Sequence, residues 1–169
     1  MKTIILIRHA KSSWKDLSLD DFDRPLNKRG KRNAPFMGKK LKERQIMPDL
    51  ILSSSAKRAK RTAIAVAKAI GYPKKKIEYN DNMYHPSARD LLEMVRNQDD
   101  KNDTIMLFGH NPDFNDFADM LLKHNPIYNI PTTGIYCIRF DVDNWKELRE
   151  GKGESVFFDY PKRYKDESI

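Results

Sequence analysis

Two arginines and two histidines stand where this chain changes character. Arg8 and His9 follow the apolar run Thr3–Ile7 directly. Arg58 lies in the stretch SSSAKRAKRT, residues 53–62, just after the apolar run Asp49–Leu52. His110 follows Gly109 at the end of a second continuous apolar run, Thr104–Phe108, and Asn111-Pro112 comes next. Arginine presents a planar fork that matches phosphate oxygens. Histidine has a ring nitrogen that is nucleophilic when neutral. Each stretch alone is a weak signal, because an Arg-His pair after a strand is ordinary and one arginine among many lysines usually faces water. In order along one chain they describe a site for a phosphoryl group.

Such a site needs elements that bring the three stretches together. Apolar runs alternate with helix-period segments, which predicts an α/β fold: a three-layer sandwich with a mostly parallel central sheet flanked by helices and one antiparallel strand. In such sheets functional groups gather beyond the carboxyl ends of strands, near helix N-termini that favour anions. One helix carries Ala59, Ala63, Val66, Ala67 and Ile70 on one face and ends at Gly71. Lys76–Tyr79 reads as a short strand. Ser87 and Asp90 read as a capping box for a helix with Leu91, Leu92 and Val95 inward. Asn111-Pro112 reads as an N-cap with proline at the first helical position, ahead of Phe114, Phe117, Ala118 and Leu121. Ile135–Phe140 and Ser155–Phe158 read as an antiparallel pair. Between Asn27 and Arg44, Pro35 predicts a helix that is kinked or starts late.

The 169 residues are read as a single domain, 1–169, with 39% apolar residues and a net charge of +8. The charge is uneven. Residues 28–76 hold 16 Lys/Arg against Glu43 and Asp49, while residues 77–121 hold ten Asp/Glu against Arg89, Arg96 and Lys101. A basic region of this kind draws a phosphorylated or acidic partner. No nucleic-acid recognition motif accompanies it, no apolar run reaches membrane-span length, and a cytoplasmic monomer is the expectation. The lone Cys137 reads as a small buried residue. No HExxH or Cys/His cluster is present, so neither metal nor cofactor is expected.

RHAKS at residues 8–12, SxxxRAxxTA from Ser54 to Ala63, GHNP at 109–112 and DRPLNKRG at 23–30 together resemble the histidine phosphatase, or phosphoglycerate mutase-like, superfamily. The resemblance covers roughly residues 2–140, and the short chain with its HAKS form is most similar to SixA-type phosphohistidine phosphatases. It implies His9 as the nucleophile that takes the phosphoryl group, with Arg8, Arg58 and His110 binding its oxygens. Ser12 matches the serine of the family's first motif. Ala10 replaces a usual glycine and Lys15 a usual asparagine, so Lys15 could supply a cation to the phosphate. Asp81, in Asn80-Asp81-Asn82, can be matched to the acid that other members use as proton donor, although SixA-like proteins manage without it. His85 is a second candidate for the pocket rim. Asp20, Asp21 and Asp23 read as solvated turn residues, and His124 as a solvent-facing residue at a helix end. The implied substrate is phosphohistidine in a protein. The alternatives are small phosphate monoesters, a mutase reaction, or a module that only docks phosphorylated partners, which would have no need of a nucleophile.

Overall fold

The computed structural model describes residues 1–124 and 129–165. Its strands are β1 (Lys2–Arg8), β2 (Leu50–Ser54), β3 (Glu78–Asn80), β4 (Thr104–Gly109), β5 (Ile135–Phe140) and β6 (Glu154–Asp159). Its α-helices are α1 (Lys28–Glu43), α2 (Lys57–Ile70), α3 (Ala88–Arg96) and α4 (Asp113–Leu121). The strands form one sheet in the order β3-β2-β4-β1-β5-β6. β1, β2, β3 and β4 run parallel, and β5 pairs antiparallel with both β1 and β6. β5 is therefore the one strand that opposes the rest.

The two unbroken apolar runs became the two central strands, β1 and β4, because both their faces are covered. Ile4 and Leu6 look into a core closed by α3, α4 and Trp145. Ile5 and Ile7 look into a second core closed by α1 and α2. Each of these side chains is fully buried, worth roughly 1.5–3 kcal/mol against exposure. Cys137 lies in the second core, and burial pushes its thiol up to about 11.

The helix boundaries follow local chemistry, with three departures from expectation. α1 starts at once after Asn27, whose side chain accepts the Gly30 N–H at 2.8 Å, and it runs through Pro35. Pro35 sits on the exposed face, where the carbonyl its ring leaves unpaired can meet water. β3 begins two residues later than the sequence suggests, because Lys74–Lys76 turn as a 3-10 helix. Asn111 does not cap α4. Its amide crosses to the Ile130 carbonyl at 2.8 Å instead. The α2 end at Gly71 (φ +83°), the Ser87–Asp90 capping box and the antiparallel β5–β6 pair are as expected.

One contact ties α1 to the site. A Cβ on Gly30 would lie 2.2 Å from the Lys11 carbonyl oxygen, so only glycine lets the first turn of α1 pack on the loop after His9.

Candidate active site

The sheet register assembles the site. Arg8 on β1 lies opposite Gly109 on β4, and Ser53 on β2 opposite Phe108. Three neighbouring strand ends thus present Arg8 and His9, Ser54, and His110 side by side. Arg58 joins from the first turn of α2. The Ala10 N–H donates to the Thr62 hydroxyl at 2.9 Å, and that hydroxyl donates to the Arg58 carbonyl at 2.7 Å. The turn after His9 is thereby stitched to the helix that carries Arg58.

His9, Arg58 and His110 are 8%, 4% and 2% exposed, and the two imidazole centroids stand 5.3 Å apart. Nδ1 of His9 lies 2.7 Å from the Ala10 carbonyl. A carbonyl only accepts, so Nδ1 carries the proton and Nε2 keeps its lone pair. Nε2 of His110 pairs with the Ser54 hydroxyl at 2.8 Å. Arg8 donates from Nη1 to the Ile130 carbonyl at 3.0 Å. Arg8 Nε and His110 Nδ1 are buried with no hydrogen-bond partner within the protein. Leaving such groups unpaired costs about 1–3 kcal/mol each, so their presence beside a free histidine nitrogen points to a ligand.

The electrostatics agree. Burial first, then Arg58, Arg8 and Arg24, lower the pKa of His9 to about 4, against the opposing Ala10 hydrogen bond. Burial, then His9 and Arg58, lower His110 to about 2. Burial and Arg58 also hold Arg8 below the usual guanidinium value. All three shifts have one cause: positive groups crowd a desolvated place. An arriving dianion opposes each shift. Both rings are neutral at pH 7 by this account, so the fixed positive charge comes from the arginines.

Of the other sequence candidates, His85 lies close by, and Ser12 is linked to Arg58 through Arg24 and Asp21. The Ser12 hydroxyl accepts a hydrogen bond from Arg24 Nη2. His85 adopts a left-handed φ of +59°, its ring centroid lying 4.1 Å from that of Tyr84 at a tilt of 44° and 5.9 Å from that of His110. Lys15 and Asp81 are exposed, and neither is joined to the four residues by a hydrogen bond or ion pair. Asp81 lies past the end of β3, in a cleft that it shares with Tyr84 and His85 as well as Asn80, Asp90 and Asn97. His124 is exposed, as expected.

Asp21 is an exposed turn residue, as read, but it also binds the arginines of the site. Arg58 donates to its carbonyl at 2.6 Å and to its Oδ2 at 2.9 Å, Arg24 to its Oδ1 at 2.9 Å, and the Tyr84 hydroxyl to Oδ2 at 2.5 Å. Burial pushes its carboxyl up, but the bonds from Tyr84, Arg24 and Arg58 and the charge of Arg58 outweigh this and hold it well below the usual carboxylate range. The only sequence signal was Arg24, one helical turn further on. Thr133 was also missed. It is fully buried at φ +60°, and its N–H is shared between the Arg8 and His9 carbonyls at 3.1 Å each. A threonine in that backbone region is strained, a mark of functional sites.

Because Asp21 supplies negative charge to the arginines, it competes with phosphate for them. Asp21→Asn is expected to tighten competitive inhibition by inorganic phosphate about fivefold, the worth of one exposed ion pair. Weaker inhibition in the variant would mean that Asp21 aims Arg58 rather than competing for it.

A mostly parallel α/β sheet brings arginine and histidine to adjoining strand ends, an arrangement able to hold an anion such as a phosphoryl group. A family model for the histidine phosphatase superfamily (branch 1) matches residues 4–84. Over that part of its length the chain is similar to that superfamily. An uncharacterized chloroplastic protein of Arabidopsis thaliana is 37% identical over 128 residues, 71% of this chain and 59% of its own length. The chain thus spans about three fifths of that relative. A structure assigned as the phosphohistidine phosphatase SixA from Agrobacterium tumefaciens superposes with a TM-score of 0.82 at 27% identity, over 95% of this chain and 98% of its own. The protein histidine phosphatase SixA, solved with tungstate, shares the fold with a TM-score of 0.78 at 17% identity, over 95% of this chain and 98% of its own. Family and fold support a phosphatase. Among the described residues no helix is long and apolar enough to cross a membrane.

Proposed function

We propose that this protein removes phosphate from phosphohistidine in another protein, through a phosphoryl group carried on His9. The observation that carries the reading is the free Nε2 of His9, whose ring is held through Nδ1 by the Ala10 carbonyl, beside the unpaired Nε of Arg8 and Nδ1 of His110. In the first step Nε2 attacks phosphorus and the P–N bond to the substrate breaks. The departing imidazole leaves neutral, having been protonated beforehand. Charge on the equatorial oxygens meets the Arg8 and Arg58 guanidiniums and a donor N–H of His110. Water then attacks the phosphohistidine of the enzyme, inorganic phosphate leaves, and His9 is restored. Ser12, tied to Arg24, and His85, beside the His110 ring, are assigned to the rim of the site. Asp81 is assigned no part, and Lys15 none beyond its charge.

The reading has a consequence for leaving groups. A protonated imidazole departs without help, whereas an alkoxide needs a proton. Phosphohistidine and aryl phosphates are expected to turn over, and alkyl phosphates such as sugar phosphates only poorly. Asp81→Asn is expected to change neither class. Efficient turnover of a sugar phosphate, lost by ~10²–10⁴ in Asp81→Asn as general acid catalysis would require, would make this a small-ester phosphatase with Asp81 as its acid. A phosphohistidine peptide assayed beside an ester panel decides between the two.

The pH profile gives a second check. The nucleophile must be neutral, and its lowered pKa keeps it so. With substrate ionisation corrected, kcat/KM is expected to hold level below neutral pH and to fall only as pH drops through about 4. A fall centred near the ordinary histidine value would contradict the crowded, desolvated site.

A further inference from the structure

We infer that the basic cleft between the first turns of α1 and α2 is a docking surface for an acidic segment of the phosphorylated protein. This rests on the phosphohistidine reading above and adds what the substrate must carry around its phosphoryl group. The cleft has a volume of about 430 Å³. Its floor is Pro25, Leu26, Ala34 and Ala65, and its walls carry Lys31, Lys57 and Arg61. All three cations are exposed, and among the described residues none pairs with a carboxylate.

Their position is energetically wrong for the helices alone. A helix N-terminus is stabilised by acids and opposed by cations. α3 and α4 obey, with Asp90 and with Asp113 and Asp116 in their first turns. α1 and α2 have no acid there. They begin Lys28-Arg29 and Lys57-Arg58 instead, with Lys31, Arg32, Lys60 and Arg61 following. Two helix N-termini and eight cations thus add to one positive field, at a cost that capping by aspartate would have removed. A local rule broken twice on one face, and kept on the other, marks a surface shaped by a partner.

The cleft adjoins the reacting group. Arg61 lies about one helical turn from Arg58, and Leu26 bridges to Ser12, in the loop that follows His9. A segment beside the phosphorylated side chain would reach it. The occupant is protein rather than nucleic acid, because the floor is aliphatic and offers no aromatic platform for bases.

The test uses the full chain, and Lys31→Glu with Arg61→Glu. Among the described residues neither forms a hydrogen bond or ion pair with Arg8, His9, Arg58 or His110, so turnover of p-nitrophenyl phosphate should be little changed. A labelled Glu-rich peptide without phosphate is expected to bind the unaltered protein, more weakly as salt rises. A Gln-for-Glu control should bind far less. The double substitution should weaken binding of the Glu peptide about tenfold, two exposed ion pairs' worth. Phosphohistidine peptides with Glu flanks should show the same ratio in kcat/KM over Gln-flanked ones, lost in the variant. Equal peptide binding by the two proteins overturns the docking surface, as does tighter binding of a labelled single-stranded RNA that the same substitutions abolish. If phosphohistidine is not turned over, yet Glu-peptide binding still depends on Lys31 and Arg61, the surface stands and the substrate reading falls.

Discussion

His9→Ala is expected to fold normally and to lose turnover by at least ~10⁴-fold, because the side chain is a reactant rather than a prop. Its one hydrogen bond is to the neighbouring Ala10 carbonyl, a local contact worth about 0.5–1.5 kcal/mol. The thermal midpoint should therefore move little while phosphate release vanishes. The unaltered protein, quenched during turnover of a labelled substrate, should carry label that is labile to acid and stable to base. The variant should carry none. Substantial turnover by His9→Ala would end the covalent mechanism, whatever the substrate.

Arg58→Ala should cost ~10²–10³-fold in kcat/KM, the usual price of deleting one charged donor from a phosphoryl or oxyanion site. The loss should divide between KM and kcat, because the guanidinium meets phosphate in the ground state and more strongly as charge spreads. Arg58→Lys should recover only part of it, since a point charge lacks the fork. The substitution also removes two of the hydrogen bonds that anchor Asp21, so competition by phosphate should become insensitive to a further Asp21→Asn change. Full activity in Arg58→Ala would remove this arginine from the site.

The framework was legible where burial dictates composition. β1 and β4 are covered on both faces, so their sequences are apolar without interruption and could be read directly. β3 is an edge strand with Glu78 and Tyr79 exposed, so no burial pattern marked its start. The helix ends at Gly71 and Ser87 were legible because their chemistry is local. Asn111 was misread because its amide found partners across the fold, at Ile130 and Asn129, which no neighbouring residue announces. The same division holds in the site. Arg8, His9, Arg58 and His110 sit at element ends that sequence locates. Asp21, Tyr84 and Thr133 reach the site only through tertiary contacts, from a surface turn, a loop beyond β3 and the approach to β5. Their types alone suggested solvent, core or turn.

The sheet separates two apolar interiors, one under α1 and α2 and one under α3 and α4. The proposed phosphoryl site belongs to neither. Arg58 is held by the first layer, His110 leads into α4 in the second, and His9 hangs from the strand between them. Loosening either layer by itself would displace one of these groups. Catalysis is thus coupled to the cooperativity of the whole molecule: a state with one interior intact and the other molten would keep much of its helical signal and none of its activity.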